Sequence, residues 1–160
     1  MKAIEITSKF EVFDSLEELP ENVQRLMKEA IKVRDKAYAP YSQFKVGAAL
    51  LLDNAEIVKG SNQENASYPS GLCAERTTIY AAGANYPENT IEILAISAKS
   101  MKHSVAAPVP PCGACRQALV EYEVKQDKPI ELYFMGESGK VMKAASVKNL
   151  LPLIFDSSCL

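Results

Sequence analysis

Three cysteines and one glutamate carry the reactive chemistry of this chain, in two short runs: Cys73-Ala74-Glu75 and Pro111-Cys112-Gly113-Ala114-Cys115. Each run opens a segment of helical character. Cys112 and Cys115 are three apart, a spacing that puts both thiols on one helix face. Two thiolates so placed can grip a soft or borderline metal such as zinc. Cys73 supplies a third from the start of another helix. Side chains tilt toward a helix N-terminus, so first-turn residues reach past the helix end. Glu75 lies two residues after Cys73, roughly 200° round an ideal helix. Both approach one point only if that point lies ahead of the helix, so two helix N-termini are expected to face each other across the metal.

Helix N-termini favour thiolates electrostatically. Three thiolates on Zn²⁺ leave a net charge of −1, which weakens the ion as a Lewis acid. The two helix dipoles and an adjacent arginine, Arg76 or Arg116, would offset this. No fourth ligand stands at suitable spacing. Structural zinc sites usually have four protein ligands, and catalytic ones three plus water. The CxxC pair alone equally fits a redox couple or half of a structural zinc knuckle. The C-x-E run upstream argues for a catalytic centre, with Glu75 as the proton carrier rather than a carboxylate placed to suit the dipole. Cys159, one residue from the C-terminus, and His103, the only histidine, in a lysine-rich loop, are read as solvated.

The elements that must position these residues follow from pattern. Ile4 to Val12 alternates weakly and reads as an edge strand or ordered arm. Asp14-Ser15 with Glu18 is a capping-box pattern. Val23, Leu26, Met27, Ala30 and Ile31 recur at helical spacing, predicting a helix over residues 20–38 that Ala39-Pro40 ends. Phe44 to Leu52 and Glu56 to Ser61 flank Asp53-Asn54 as a hairpin. Cys73 to Ala84 reads as a helix with Gly83 and Pro87 bounding its far end. Strands are expected over 91–98, 130–135 and 141–142, a helix over 112–122, and a short helix capped by Ser146. Helices alternating with strands after the hairpin argue a layered α/β domain around one mixed sheet.

With these runs placed, the sequence resembles the cytidine deaminase family in its small, three-cysteine form. Four blocks carry the resemblance, in order: Tyr41-Ser42-Gln43-Phe44-Lys45-Val46-Gly47-Ala48-Ala49, Asn62-Gln63-Glu64-Asn65-Ala66-Ser67-Tyr68, Cys73-Ala74-Glu75-Arg76-Thr77, and Pro111-Cys112-Gly113-Ala114-Cys115-Arg116-Gln117. It runs from about Tyr41 to Phe155. The resemblance implies a three-layer α/β/α fold with a mixed central sheet. It implies one Zn²⁺ per chain, held by Cys73, Cys112 and Cys115, and hydrolytic deamination of cytidine and deoxycytidine in pyrimidine salvage. Glu75 is then the catalytic carboxylate, moving protons from the attacking water to ring N3 and to the departing ammonia. Asn62 and Glu64 are implied to bind the ribose 3′-hydroxyl; on a strand, two residues apart, they face the same way. Phe44 is implied to pack on the pyrimidine, and the Ala74 backbone N–H to donate to the base. Arg76 is implied to hydrogen-bond the ligand thiolates. Tyr68 and the C-terminal aromatic Phe155 are implied site residues, reached across subunit boundaries in a homotetramer. The apolar stretch Leu150 to Phe155 and the alanine-rich helix after Cys73 suit such an interface. Two features depart from the family pattern: the extra residues before about residue 20, and Pro69-Ser70-Gly71-Leu72 leading into Cys73.

The remaining composition bounds the function. The 160 residues fit one domain, taken here as a deaminase domain over 1–160 with an N-terminal extension at 1–19. Hydrophobic residues are 48% and charged residues 24%, which excludes a disordered chain. The net charge of −2 and the lack of a basic, aromatic-interleaved stretch argue against a nucleic-acid partner and against an RNA- or DNA-editing deaminase. No apolar run is long enough for a membrane span. Met1-Lys2-Ala3-Ile4-Glu5-Ile6 carries charge where a signal peptide needs its apolar region, so a cytoplasmic location is expected. Two other readings stay open: an aminohydrolase on a modified nucleoside or nucleoside antibiotic, and a structural zinc module without catalysis. The Asn62-x-Glu64 pair, suited to a free ribose, favours the nucleoside enzyme over the first.

Overall fold

The computed structural model describes all of residues 1–160. Six strands form one mixed sheet: β1 (Glu11–Phe13), β2 (Phe44–Leu52), β3 (Ile57–Ser61), β4 (Ile91–Ser100), β5 (Glu131–Met135) and β6 (Val141–Ala144), in the order β1-β6-β5-β4-β2-β3. Only β4 and β5 run parallel; every other pair is antiparallel. Helix α1 (Glu21–Arg34) covers one face. Helices α2 (Ala74–Asn85) and α3 (Gly113–Lys125) cover the other. The expected three-layer α/β/α arrangement is therefore present.

Strand alternation sorts the core into two halves. Ala48, Leu50 and Leu52 of β2 join Leu94, Ile96, Leu132 and Phe134 under Ile79 and Ala82 of α2 and Leu119 and Val120 of α3. The intervening Ala49 and Leu51 join Ala95, Tyr133 and Met135 under Val23, Leu26, Met27 and Ala30 of α1. Complete burial of a large aliphatic side chain such as Leu26 or Leu50 is worth about 1.5–3 kcal/mol. Alpha1 lies close to β2 because Gly47 has no side chain: a Cβ there would fall on the Ala30 carbonyl oxygen and the Arg34 backbone.

Several boundaries differ from expectation. Alpha1 ends at Arg34 rather than near residue 38. The chain then turns so that Tyr38 N–H bonds to Asn62 O and Glu64 N–H to Tyr38 O, a tertiary pairing that overrides helical propensity. The capping pattern at Ser15 forms a single 3₁₀ turn, Leu16–Glu18, where Glu18 accepts from the Asp14 N–H at 2.9 Å; α1 starts after Pro20. Gly83 lies inside α2 and not beyond it. Its missing Cβ makes room for the Tyr122 ring of α3. The N-terminal arm is a strand only at Glu11–Phe13, which pairs with β6 and forms one edge of the sheet. Ser146 caps the 3₁₀ turn Val147–Leu150 as expected, accepting from the Lys148 N–H at 3.1 Å.

Topology explains why the reactive runs meet. Beta3, β4 and β5 point the same way, because β3 and β4 are both antiparallel to β2 and β5 is parallel to β4. Alpha2 follows β3, and α3 follows β4. Both helices thus begin at the carboxyl edge of the sheet, where ligand crevices of α/β sheets lie. Phe44, which starts β2 opposite Ser100, stands at the same edge. No helix is long and apolar enough to cross a membrane.

Candidate metal centre and adjoining cleft

Cys73 is the N-cap of α2 and Cys112 the N-cap of α3, so the two helix N-termini converge as the spacing implies. Cys115 follows in the first turn of α3. Cys73 Sγ lies 3.9 Å from Cys112 Sγ, which lies 3.4 Å from Cys115 Sγ, and all three fall within 4.8 Å of one another. Zinc–thiolate bonds of about 2.3 Å in a tetrahedron set sulfur atoms about 3.8 Å apart. The three thiols therefore fit one zinc ion. Cys115 is fully buried and Cys112 exposed, so the cluster opens toward solvent on one side.

The electrostatics favour thiolate at Cys73. Cys73 is lowered to about 5, chiefly by hydrogen bonding with Cys115, against its burial, and then by Arg76. Cys115 is pushed up by the same contact and by burial. Arg76 Nη2 sits 3.6 Å from Cys73 Sγ, while its buried Nε has no partner. Arg116 has a different role from the one its position beside Cys115 suggests. Its Nε donates to the Pro111 carbonyl and its Nη1 to the Leu150 carbonyl, both at 2.8 Å, and not to sulfur. Glu75 is 5% exposed, and burial is the largest influence in pushing its carboxyl up to about 7. Ala74, between Cys73 and Glu75, is fully buried.

A cleft of about 500 Å³ adjoins the cluster, lined by Tyr41, Ser42, Asn62, Gln63, Glu64, Asn65, Tyr68, Gly71, Leu72, Cys73 and Arg76. That volume lies within the usual range for small-molecule sites. It joins three of the four sequence blocks to one concave surface. Asn62 and Glu64 do not lie on a regular strand as expected, because β3 stops at Ser61. Gln63 between them bridges both Tyr38 and Leu72, which keeps the backbone extended. The Asn62 side chain accepts from the Val46 N–H at 2.8 Å and donates to the Phe44 carbonyl at 3.0 Å, leaving one donor and one acceptor position unused. Glu64 accepts from the Tyr41 N–H at 2.9 Å, the Ser42 N–H at 3.3 Å and the Ser42 hydroxyl. Burial works to raise its carboxyl, but the bonds from Ser42 and Tyr41 together hold it below the ordinary value.

Other expected residues fall at the edges. Phe44 is half-buried and does not line the cleft. Tyr68 lines it but is 76% exposed, its ring 6.0 Å from Tyr41 in an edge-on pair. Phe155 is exposed and outside its own chain's cleft; Gln117 donates to its carbonyl at 2.9 Å. His103 and Cys159 are exposed and stand apart from the cysteine cluster. The sequence reading gave no role to Tyr41 and Ser42.

Converging helix N-termini, three thiols at metal-binding distance and a buried carboxyl define the zinc aminohydrolase class of site. The sequence profile of the cytidine and deoxycytidylate deaminase zinc-binding region matches residues 20–127, and the chain belongs to that family. It is 41% identical over 132 residues to a cytidine deaminase of Halalkalibacterium halodurans, covering 82% of this chain and 92% of that one. It is 35% identical over 134 residues to a cytidine deaminase of Sporosarcina psychrophila, covering 84% and 91%. The crystal structure of cytidine deaminase from Burkholderia pseudomallei superposes with a TM-score of 0.69 at 39% identity, covering 82% of this chain and 97% of that one. The chain is a zinc-binding enzyme of this family, with one three-cysteine site.

Proposed function

We infer that this protein catalyses zinc-dependent hydrolytic deamination of cytidine and deoxycytidine, in which water replaces the 4-amino group and ammonia departs, as a step of pyrimidine salvage. The observation that carries the reading is the buried Glu75 carboxyl in the first turn of α2, two residues after Cys73, together with three converging thiols and a cleft of nucleoside size. When bound by Cys73, Cys112 and Cys115, zinc supplies Lewis-acid activation of water at neutral pH. Glu75 takes one proton from the attacking water and delivers it to ring N3, then carries the second, from the new C4 hydroxyl, to the amino group, which leaves as ammonia while the C4 carbonyl forms. Arg76 offsets the negative charge at Cys73. The Ala74 N–H, at the N-terminus of α2, is placed by our reading to donate to the base. Asn62, through its unused donor and acceptor, and Glu64 would receive the ribose 3′-hydroxyl. Phe44 would pack on the pyrimidine.

The same reading makes the protein a cytoplasmic homotetramer whose Tyr68 and Phe155 help to complete neighbouring sites. Its support is the exposure of both aromatics in the single chain, together with Leu153. A nucleoside is the substrate, with no nucleic-acid or membrane partner. An ultraviolet assay on cytidine and on deoxycytidine, with and without chelator, tests the function: both are converted, and chelator abolishes conversion. Turnover that is insensitive to metal removal contradicts it. For the assembly, removing Phe155 to Leu160 is expected to lower activity and loosen the oligomer together, by light scattering. A fully active monomer contradicts the shared site.

A further inference from the structure

Two charged residues of α3 hold the C-terminal segment by its ends. Glu123, only 3% exposed, accepts from the Ser146 hydroxyl at 2.6 Å and the Val147 N–H at 2.9 Å, where the turn Val147–Leu150 begins. Arg116 donates to the Leu150 carbonyl at 2.8 Å, where that turn ends. The two residues are seven apart, about two helical turns, and so lie on one face of α3. Acid meets the free N–H end of the turn and base meets its free carbonyl end.

Arg116 makes a second bond with the other arm of its guanidinium fork, from Nε to the Pro111 carbonyl at 2.8 Å. Pro111 immediately precedes the ligand Cys112. The loop 106–111 contains three prolines, which lack an N–H, and no backbone–backbone hydrogen bond falls within it. Cys115 is fixed by complete burial inside α3, but Cys112 is exposed at the helix cap. The Cys112 side chain is therefore not held by packing, and its position depends on how the buried Pro111 before it is held.

We propose that Arg116 is a positioning residue of the metal centre, tying the Leu150 end of the C-terminal segment to the Pro111 peptide and so fixing the Cys112 thiolate relative to Cys115 and Cys73. The proposal rests on the reading that these three cysteines hold zinc. It assigns the two arginines distinct tasks. Arg76 acts on sulfur directly, and Arg116 acts through two backbone carbonyls. A lysine in its place keeps the charge but has no planar fork to span both carbonyls.

The test is the rate of zinc release from the purified holoenzyme to a chromogenic chelator, with circular dichroism recorded over the same time course. Loss of a partner that orients a ligand typically costs 10–100-fold in metal affinity. Arg116→Met is expected to release zinc about tenfold faster or more, and Arg116→Lys at an intermediate rate, while both stay folded throughout release. Release by Arg116→Met within twofold of the parent rate overturns the proposal. If Arg116→Met does not fold, Arg116→Lys decides alone, and parental release from it overturns the proposal equally. Release that only keeps pace with global unfolding also overturns it, because a purely structural clamp would give that result. A parent protein that carries no zinc instead overturns the reading of the site itself, and the proposal with it.

Discussion

Replacing Glu75 with glutamine separates its proposed chemistry from its place in the fold. Glu75 is 5% exposed, in the first turn of α2, and glutamine has nearly the same shape. No cavity opens, so the large penalties of core truncation do not arise. The three thiols are untouched, and zinc content is expected to stay at about one per chain. What is lost is a group that accepts and returns protons. General acid–base catalysis contributes typically 10²–10⁴-fold, which at about 1.36 kcal/mol per tenfold is roughly 3–5 kcal/mol of barrier. The expected result is a drop of at least a hundredfold in kcat for cytidine, with parental zinc content and a melting temperature near that of the parent. The assays are cytidine turnover by ultraviolet absorbance, metal analysis and thermal melting on one preparation. Turnover within tenfold of the parent, with zinc intact, would refute Glu75 as the proton carrier.

Three further outcomes follow from the geometry. Glu64→Ala should impair cytidine far more than free cytosine, since only the nucleoside has a ribose hydroxyl for the carboxylate to accept from; equal losses on both would remove Glu64 from the sugar site. Glu123→Ala strands the N–H groups of Ile130 and Val147, bound at 2.8 and 2.9 Å, each worth about 1–3 kcal/mol when left unpaired. At roughly 2–4 °C per kcal/mol for a chain of this size, the melting temperature should fall by about 10 °C; a fall under about 2 °C would contradict the burial argument. Glu29 is held down to about 2 by hydrogen bonds from Lys32, then Lys59, so its stabilisation is present above its unfolded value of 4.5 and is lost as pH falls from there toward 2. Lys32 and Lys59 are largely solvated, which limits the effect to under about 1 kcal/mol. Urea titration of Glu29→Gln should show that small deficit at pH 7 and only a small remainder of it at pH 2; a deficit undiminished at pH 2 would contradict the pairing.

The reactive residues were legible because their chemistry and their local structure coincide. Cys73 and Cys112 are helix caps, and a helix start is a local feature that spacing and composition reveal. The layered fold was legible from helices alternating with strands. The ends of elements were not, where long-range contacts decide them. Alpha1 stops at Arg34 because Tyr38 is drawn to the segment after β3, a pairing between residues more than twenty apart in sequence. Asn62 and Glu64 face the cleft without a regular strand because Gln63 is bridged on both sides. The strand Glu11–Phe13 was shorter than its alternation suggested, since only three residues find the edge of β6. Arg116 sits beside Cys115 in sequence, yet its donors go to Pro111 and Leu150, the latter 34 residues away. Proximity along the chain suggested a partner for sulfur, and only the tertiary structure shows a clamp on the backbone.

Zinc titration into metal-stripped protein tests the central claim most directly, with bound metal and cytidine deamination followed together. The account predicts no turnover without metal, and activity that rises in proportion to zinc and breaks at about one equivalent per chain. Full activity in the stripped protein, or one equivalent of bound zinc with no deamination of cytidine, would contradict it.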